Sequence, residues 1–368
     1  MPKSFPSGLN ANGHGAQAGL RSRAVQSRPP IVSVVLPARN AAATLARAVA
    51  SVRAQTFSDW EMIAVDDGST DGTRELLRTM ARSESRIKVV EQVGGGVVAA
   101  ANAGAAAARG PLIARMDADD VAHPERLAAQ VEFLARPENR DVGVVGSGVE
   151  FGGDRRASAG YSLHVDWTNS LITPEAIRLN RFVESPLVNP SVMFRRELIV
   201  SHGGYREGDF PEDYELWLRW LDAGVRMAKV PRVLLTWHDS PTRLTRTDVR
   251  YSPESFFRMK AEWIAREVER SAEGKSVWIW GAGRHTRRRA AHLTASGVTI
   301  AGYIDVDAKK IGRGLGGTGL PVLGADSLPA PSRTIVLSYV TTRGAREYNR
   351  TKLLAHGYVE GRDFFLCG

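Results

Sequence analysis

Short apolar runs alternate along residues 31–150 with stretches whose apolar positions recur at helical spacing. Ile31 to Leu36 reads I-V-S-V-V-L, a buried parallel strand that gives way to Pro37-Ala38-Arg39-Asn40 and an Ala-rich helix over 41–55. Trp60 to Val65 predicts a second strand, ending in Asp66-Asp67-Gly68-Ser69-Thr70-Asp71-Gly72, with a helix over 73–83 and a third strand over 87–91 behind it. A loop over 94–96 leads to a helix of small residues, 97–108, and then to a strand that opens at Ile113. Alternation over short connections predicts a doubly wound α/β sheet, mixed but mostly parallel. Ligands of such sheets sit outside the carboxyl ends of strands, so three polar clusters are expected on one rim: Pro37 to Asn40, Asp66-Asp67, and Asp117 to Asp120.

The last of these lies in I-A-R-M-D-A-D-D-V-A-H-P, residues 113–124, where an apolar strand runs into three carboxylates. If the strand continues, Asp117 and Asp119 share a face and repel, which a hard divalent ion holding a diphosphate would offset. The alternative is a solvated acidic turn, with Asp120 capping the helix that opens near Pro124. Further on, 141–148 predicts a strand, 175–182 a short helix, and 187–196 a strand entering a helix. Glu212 and Asp213 open a helix whose apolar positions Leu216, Trp217 and Trp220 keep helical spacing, and acids there also serve as plain dipole partners. Val233 to Trp237 predicts a strand before H-D-S-P-T-R-L-T-R, in which Arg243 and Arg246 read as solvated loop charges.

Residues 252–271 form an amphipathic pattern expected to pack between two domains. Beyond Glu273-Gly274-Lys275 the pattern restarts: strand 276–280, Gly281-Ala282-Gly283-Arg284, helix 286–296, strand 299–304, Asp305. This is the layout of a dinucleotide-binding half, with Gly281 and Gly283 for the turn and Asp305 for a ribose, although the third glycine of G-x-G-x-x-G is missing. The expected organisation is a disordered tail over 1–30, a first domain over 31–250, a linking helix over 251–274 and a smaller Rossmann-like α/β domain over 275–368.

Composition narrows the classes. The chain of 368 residues has a net charge of +9, but the excess is terminal: residues 1–30 hold four basic residues and no acid, and from Lys275 onward fourteen basic residues face six acidic ones. No interleaving of aromatic and basic residues suggests a nucleic-acid module. The single cysteine, Cys367, excludes a disulfide framework and fits a reducing cytoplasm. No apolar run reaches the roughly 18 residues of a membrane span, which leaves peripheral contact at the inner face of a membrane open.

P-A-R-N after the first strand, V-D-D-G-S-T-D-G-T after the second, A-N-A-G-A-A-A-A-R-G before the fourth and R-M-D-A-D-D after it resemble family 2 nucleotide-sugar glycosyltransferases of the GT-A fold, over roughly 31–240. The resemblance implies a nucleotide-diphosphate sugar donor, bound by Pro37, Arg39, Asn40, Asp66, Asp67, Asn102 and Asp117. It implies a divalent metal, Mn2+ or Mg2+, on Asp117 and Asp119, with His238 in the metal or diphosphate shell. It makes Glu212-Asp213 the pair that supplies the catalytic base, Asp213, for an inverting transfer to a glycan, lipid-linked or other hydroxyl acceptor. Members of the family often carry His where this chain has Asn189. The later pieces, I-G-R-G-L-G-G-T-G-L-P-V-L-G, I-V-L-S-Y-V and G-R-D-F-F, resemble the small Rossmann-like domain that precedes some bacterial sugar acyltransferases. A nucleotidyltransferase shares fold and metal chemistry, but its glycine-rich loop after the first strand is not found at Pro37 to Asn40. A non-catalytic nucleotide-sugar binder is the alternative from another class.

Overall fold

Strands β1 (Val32–Ala38), β2 (Trp60–Asp67), β3 (Ile87–Gln92) and β4 (Leu112–Arg115) form where the apolar runs predict them. With β5 (Val121–Ala122), β6 (Val142–Phe151), β7 (Met193–Arg195) and β8 (Arg226–Trp237) they make one sheet in the order β3-β2-β1-β4-β7-β6-β8-β5. The pairs β1 with β2 and β4, β2 with β3, and β6 with β8 are parallel. Antiparallel β7 bridges β4 to β6, and β5 closes the edge against β8. All eight residues of β2 are buried, as expected of a central strand covered on both faces.

The protein is described from a computed structural model, over residues 28–240, 243–272, 274–314, 319–342 and 344–368. Residues 1–27 of the expected tail, the boundary residue Glu273 and the glycine-rich stretch 315–318 lie outside these.

Two local differences from the sequence pattern have plain causes. The first helix spans Leu45–Arg53 rather than 41–55, because the N–H groups of Ala41 and Ala42 donate to the side chains of Thr73 and Asp71 instead of starting a helix. A helix over Ala159–Ser170 escapes the pattern, since its polar and apolar residues are mixed around its circumference.

The second sheet is all parallel, in the order β11-β10-β9-β12-β13, from β9 (Ser276–Trp280), β10 (Ile300–Asp305), β11 (Val322–Gly324), β12 (Thr334–Ser338) and β13 (Phe364–Leu366). Between the sheets runs the helix Pro253–Ser271, started by Ser252, whose hydroxyl accepts from Ser255 N, and by proline at the first helical position. Its residues Phe257, Met259, Trp263, Ile264 and Val268 share one core with Val277, Ile279, Ile335 and Leu337 of the second sheet and with Phe182, Tyr214 and Leu218 of the first unit. Burying each large apolar side chain of that kind stabilises by about 1.5–3 kcal/mol. Within the same contact Lys260, buried, donates to the carbonyls of Phe182, Val183 and Cys367, each at 3.0 Å. Among the described residues no helix is long and apolar enough to cross a membrane.

Candidate active site

β4 stops at Arg115, so the carboxylates are not presented along a strand as the pattern suggested. The chain turns there, with Asp120 N donating to Asp117 O, and the turn still gathers Asp117, Asp119 and Asp120, whose oxygens lie within 4.8 Å of one another. The turn is held from beneath by Arg115. Its buried guanidinium donates to the carbonyls of Val35 and Met116 and, at 2.8 Å, to Asp117 Oδ1. Arg126 supports it in turn, donating to Arg115 O at 2.6 Å, and burial pulls its pKa down to about 10. An arginine inside an otherwise apolar strand, I-A-R-M, is the one sign of this brace in the sequence.

Asp120 does not cap a helix. It is fully buried and its Oδ1 accepts from the backbone N of His238 at 2.8 Å. This ties the acidic turn to the end of β8. Burial, then the Asp117 charge, raises the pKa values of Asp119 and Asp120 above the ordinary carboxylate value. His238 therefore reaches the site through its backbone; its ring is not among the grouped ligands, and burial holds the imidazole pKa below its usual value. Beyond it, Arg243 and Arg246 both have partners within the loop, Arg246 while remaining exposed. Arg243 stacks 4.4 Å from the Trp237 ring centroid and donates to His238 O, while Arg246 pairs with Asp239.

On the neighbouring rim Asp67 is turned inward. Its carboxylate accepts from Gly95 N at 2.6 Å, Gly96 N at 2.9 Å and Gln92 Nε2 at 2.6 Å, at the start of the helix Gly96–Ala107, where the dipole favours negative charge. Gly68, at φ +70, lies against this loop, and a Cβ there would meet Gly94 N at 2.7 Å. Asp66 is also buried and pairs with Arg74 at 2.9 Å. Both acids are thus turned inward, with Asp66 Oδ1 left without a partner among the described residues. Arg39 is exposed and 3.6 Å from Asp67. Asn40, at φ +50, accepts from Thr70 N through Oδ1, and its own N donates to Ser69, which explains an asparagine there: it tolerates the left-handed region and ties two loops. Pro37 is partly exposed at the end of β1. Asn102 is committed elsewhere, exchanging two hydrogen bonds with the backbone of Tyr205 at 2.9 and 3.0 Å.

Glu212 and Asp213 form the first turn of the helix Glu212–Asp222. Glu212 is buried and accepts from the hydroxyl of Tyr251 at 2.6 Å, a partner that no sequence motif announced. Burial, then the Glu212 charge, pushes Asp213 up to about 8. The charge of Arg115 acts on Glu212, and that of Asp117 on Asp213, so the acid pair and the acidic turn belong to one electrostatic neighbourhood. Asn189, at the position the family often fills with His, accepts from the Tyr205 hydroxyl at 2.9 Å.

The residues present fit a hard divalent ion: the donors are carboxylate oxygens, and the buried Asp120 Oδ2 has no hydrogen-bond partner among the described residues. Asp66 Oδ1, Arg115 Nε and His238 Nδ1 are likewise without partners. Unsatisfied buried polar atoms are rare in native folds, and four of them fall in this one region. Gly281, Gly283 and Asp305 lie on the second sheet. There Asp305 accepts from Ala282 N, Asp307 N and Lys310 Nζ, so each of its oxygens already has a partner within the chain.

The family model for "Glycosyl transferase family 2" matches residues 33–202. The putative glycosyltransferase EpsE of Bacillus subtilis is 30% identical over 233 residues, which is 61% of this chain and 78% of that protein. The O-antigen biosynthesis protein RfbC of Myxococcus xanthus is 36% identical over 202 residues, 54% of this chain but only 15% of RfbC. Among solved structures, S. aureus TarS 1–349 in complex with UDP-GlcNAc superposes with a TM-score of 0.52 at 18% identity, covering 72% of this chain and 71% of that one, a likeness of fold that carries the GT-A architecture. Matched by that family model and by a relative spanned over most of its length, the chain belongs to glycosyl transferase family 2, whose members move a sugar from a nucleotide sugar.

Proposed function

We propose that the chain transfers a sugar from a nucleotide-diphosphate sugar to a hydroxyl of a glycan or lipid-linked acceptor, with a divalent metal and with inversion. The observation that carries this reading is the junction at Arg115, which holds Asp117 by a 2.8 Å hydrogen bond and lies within the field of Glu212. One buried cation thus bonds a donor-side acid and acts by charge on an acceptor-side one, which supports reading the two as parts of one site.

Asp119 and Asp117 would hold Mn2+ or Mg2+, with Asp120 behind them. When bound, the metal supplies Lewis-acid charge to the leaving diphosphate. The nucleoside would lie along Pro37, Arg39 and Asn40, over a wall shaped by the inward-turned Asp66 and Asp67. Asp213 accepts the proton of the incoming hydroxyl as its oxygen bonds to the anomeric carbon and the bond to the diphosphate breaks. A raised pKa makes that carboxylate a stronger base once it is ionised. With Glu212 bonded to Tyr251 and Asp117 to Arg115, Asp213 is the acid left for the incoming hydroxyl, which supports a single displacement. Glu212, held by Tyr251, keeps charge beside the base without meeting the substrate. The name of RfbC, an O-antigen biosynthesis protein, favours a polysaccharide acceptor.

A panel of nucleotide sugars tested for donor turnover with Mn2+, and again after chelation, checks this. Turnover of one donor that disappears with the metal is expected; metal-independent binding without turnover would overturn the reading.

A further inference from the structure

A cavity of about 520 Å³ opens at the carboxyl ends of β9 and β12. The two strands are neighbours, yet the sheet grows outward from them in opposite directions, to β10 and β11 on one side and β13 on the other. The crevice between them is therefore the topological switch point of an open parallel sheet, where such folds take ligands. Its volume falls in the range of small-molecule sites.

The lining is cationic. Arg284, Arg289 and Lys310 face a single acid, Asp305, which Lys310 already neutralises at 3.0 Å. Arg284 is exposed and makes no hydrogen bond or ion pair with any described residue. Arg289 is positioned by Thr341 and by the face of Phe257, 4.2 Å from its centroid. Tyr339, 1% exposed, also lines the cavity, and its hydroxyl has no partner among the described residues. The floor is kept low by Gly281, at φ +108, where a Cβ would meet Thr286 Oγ1 and Val340 Cγ2 at 2.9 Å. At the rim Tyr348 is 45% exposed, an aromatic face available for stacking.

We propose that this cavity is a second nucleotide site, distinct from the donor site, which grips phosphate through Arg284 and Arg289 and stacks a base on Tyr348. Asp305 already accepts three hydrogen bonds from the chain itself, so the phosphate grip of the two arginines, rather than a ribose diol, carries the proposal. The ligand class is a nucleoside mono- or diphosphate anchored by its phosphates.

Calorimetric titration of the full chain tests this, carried out with chelator and in an Asp119→Asn background so that the metal-dependent site is silent. ADP, GDP, UDP and CDP serve as probes, with pyrophosphate as the phosphate-only control. One saturable site for at least one nucleotide is expected, weakened by about tenfold or more (at least about 1.4 kcal/mol) by Arg284→Glu. Gly283→Trp should do the same without disturbing the fold, since a Cβ at Gly283 meets nothing within 4 Å and its φ of −70° suits any residue. The proposal is overturned if none of the four nucleotides binds at about 1 mM, if both variants bind as wild type, or if pyrophosphate competes as well as the nucleotide.

Discussion

The hydroxyl of Tyr251 donates to Glu212 Oε2 at 2.6 Å, joining the turn before the linking helix to the helix that carries Asp213. Glu212 is 4% exposed, so this is the bond that makes its buried charge tolerable. Tyr251→Phe leaves that carboxylate short of a donor, at a cost of about 1–3 kcal/mol. Chemical denaturation should report a loss of that size. Transfer should fall while donor affinity is kept; a variant with wild-type stability would contradict the role given to this pair.

Asp213→Asn should cut turnover by about 10²–10⁴ with little change in donor binding, the range associated with losing a general base. Steady-state kinetics beside donor calorimetry separate the two. Near wild-type turnover in this variant would remove Asp213 from the mechanism.

The same residue makes a thermodynamic prediction. Its folded-state pKa, about 8, lies above the ordinary value of 3.8, so the protonated form is the one the fold favours. The resulting stability is fully present below the ordinary value and is lost as pH rises from about 4 towards 8. Melting temperature should decline across that window, with the slope reduced in Asp213→Asn; because Glu212 shares the burial, the pair titrates together. The acid limb of kcat/KM should, by the same shift, lie above the usual carboxylate range and move in Tyr251→Phe.

Asp119→Asn removes one of the three grouped oxygens while leaving the Asp120 to His238 tie in place. Mn2+ binding, followed by calorimetry or by paramagnetic broadening, should weaken by at least about tenfold, and turnover should fall with it. Unchanged Mn2+ affinity would place the metal elsewhere.

Lys260 contacts three carbonyls from two parts of the chain, and burial pulls its pKa down to about 8. Lys260→Met keeps the stem and removes the donors, so stability should drop by about 1–3 kcal/mol. Denaturant unfolding checks this, and a change below about 0.5 kcal/mol would show that the bonds are replaced by water.

The alternation of strands and helices through 31–120 was legible because parallel strands buried on both faces leave continuous apolar runs. The helix Glu212–Asp222 was legible for its spacing. The course of the chain after Arg115 was not: strand periodicity carried past the point where the guanidinium turns back onto Val35 and Met116. The partners of Asn102, Asp67 and Asp305 were hidden for a different reason. Each is satisfied by backbone groups of residues 23 or more positions away, or of a local turn, and no side-chain pattern encodes those bonds.

Tyr214, next to Asp213, gives its hydroxyl to Arg181 O and sits in the core made jointly with the linking helix and the second sheet. The C-terminal portion is therefore not an exchangeable module. A chimera that imported another C-terminal unit onto residues 31–250 would have to rebuild the socket of Tyr214, or the helix beneath the candidate base would lose its seat.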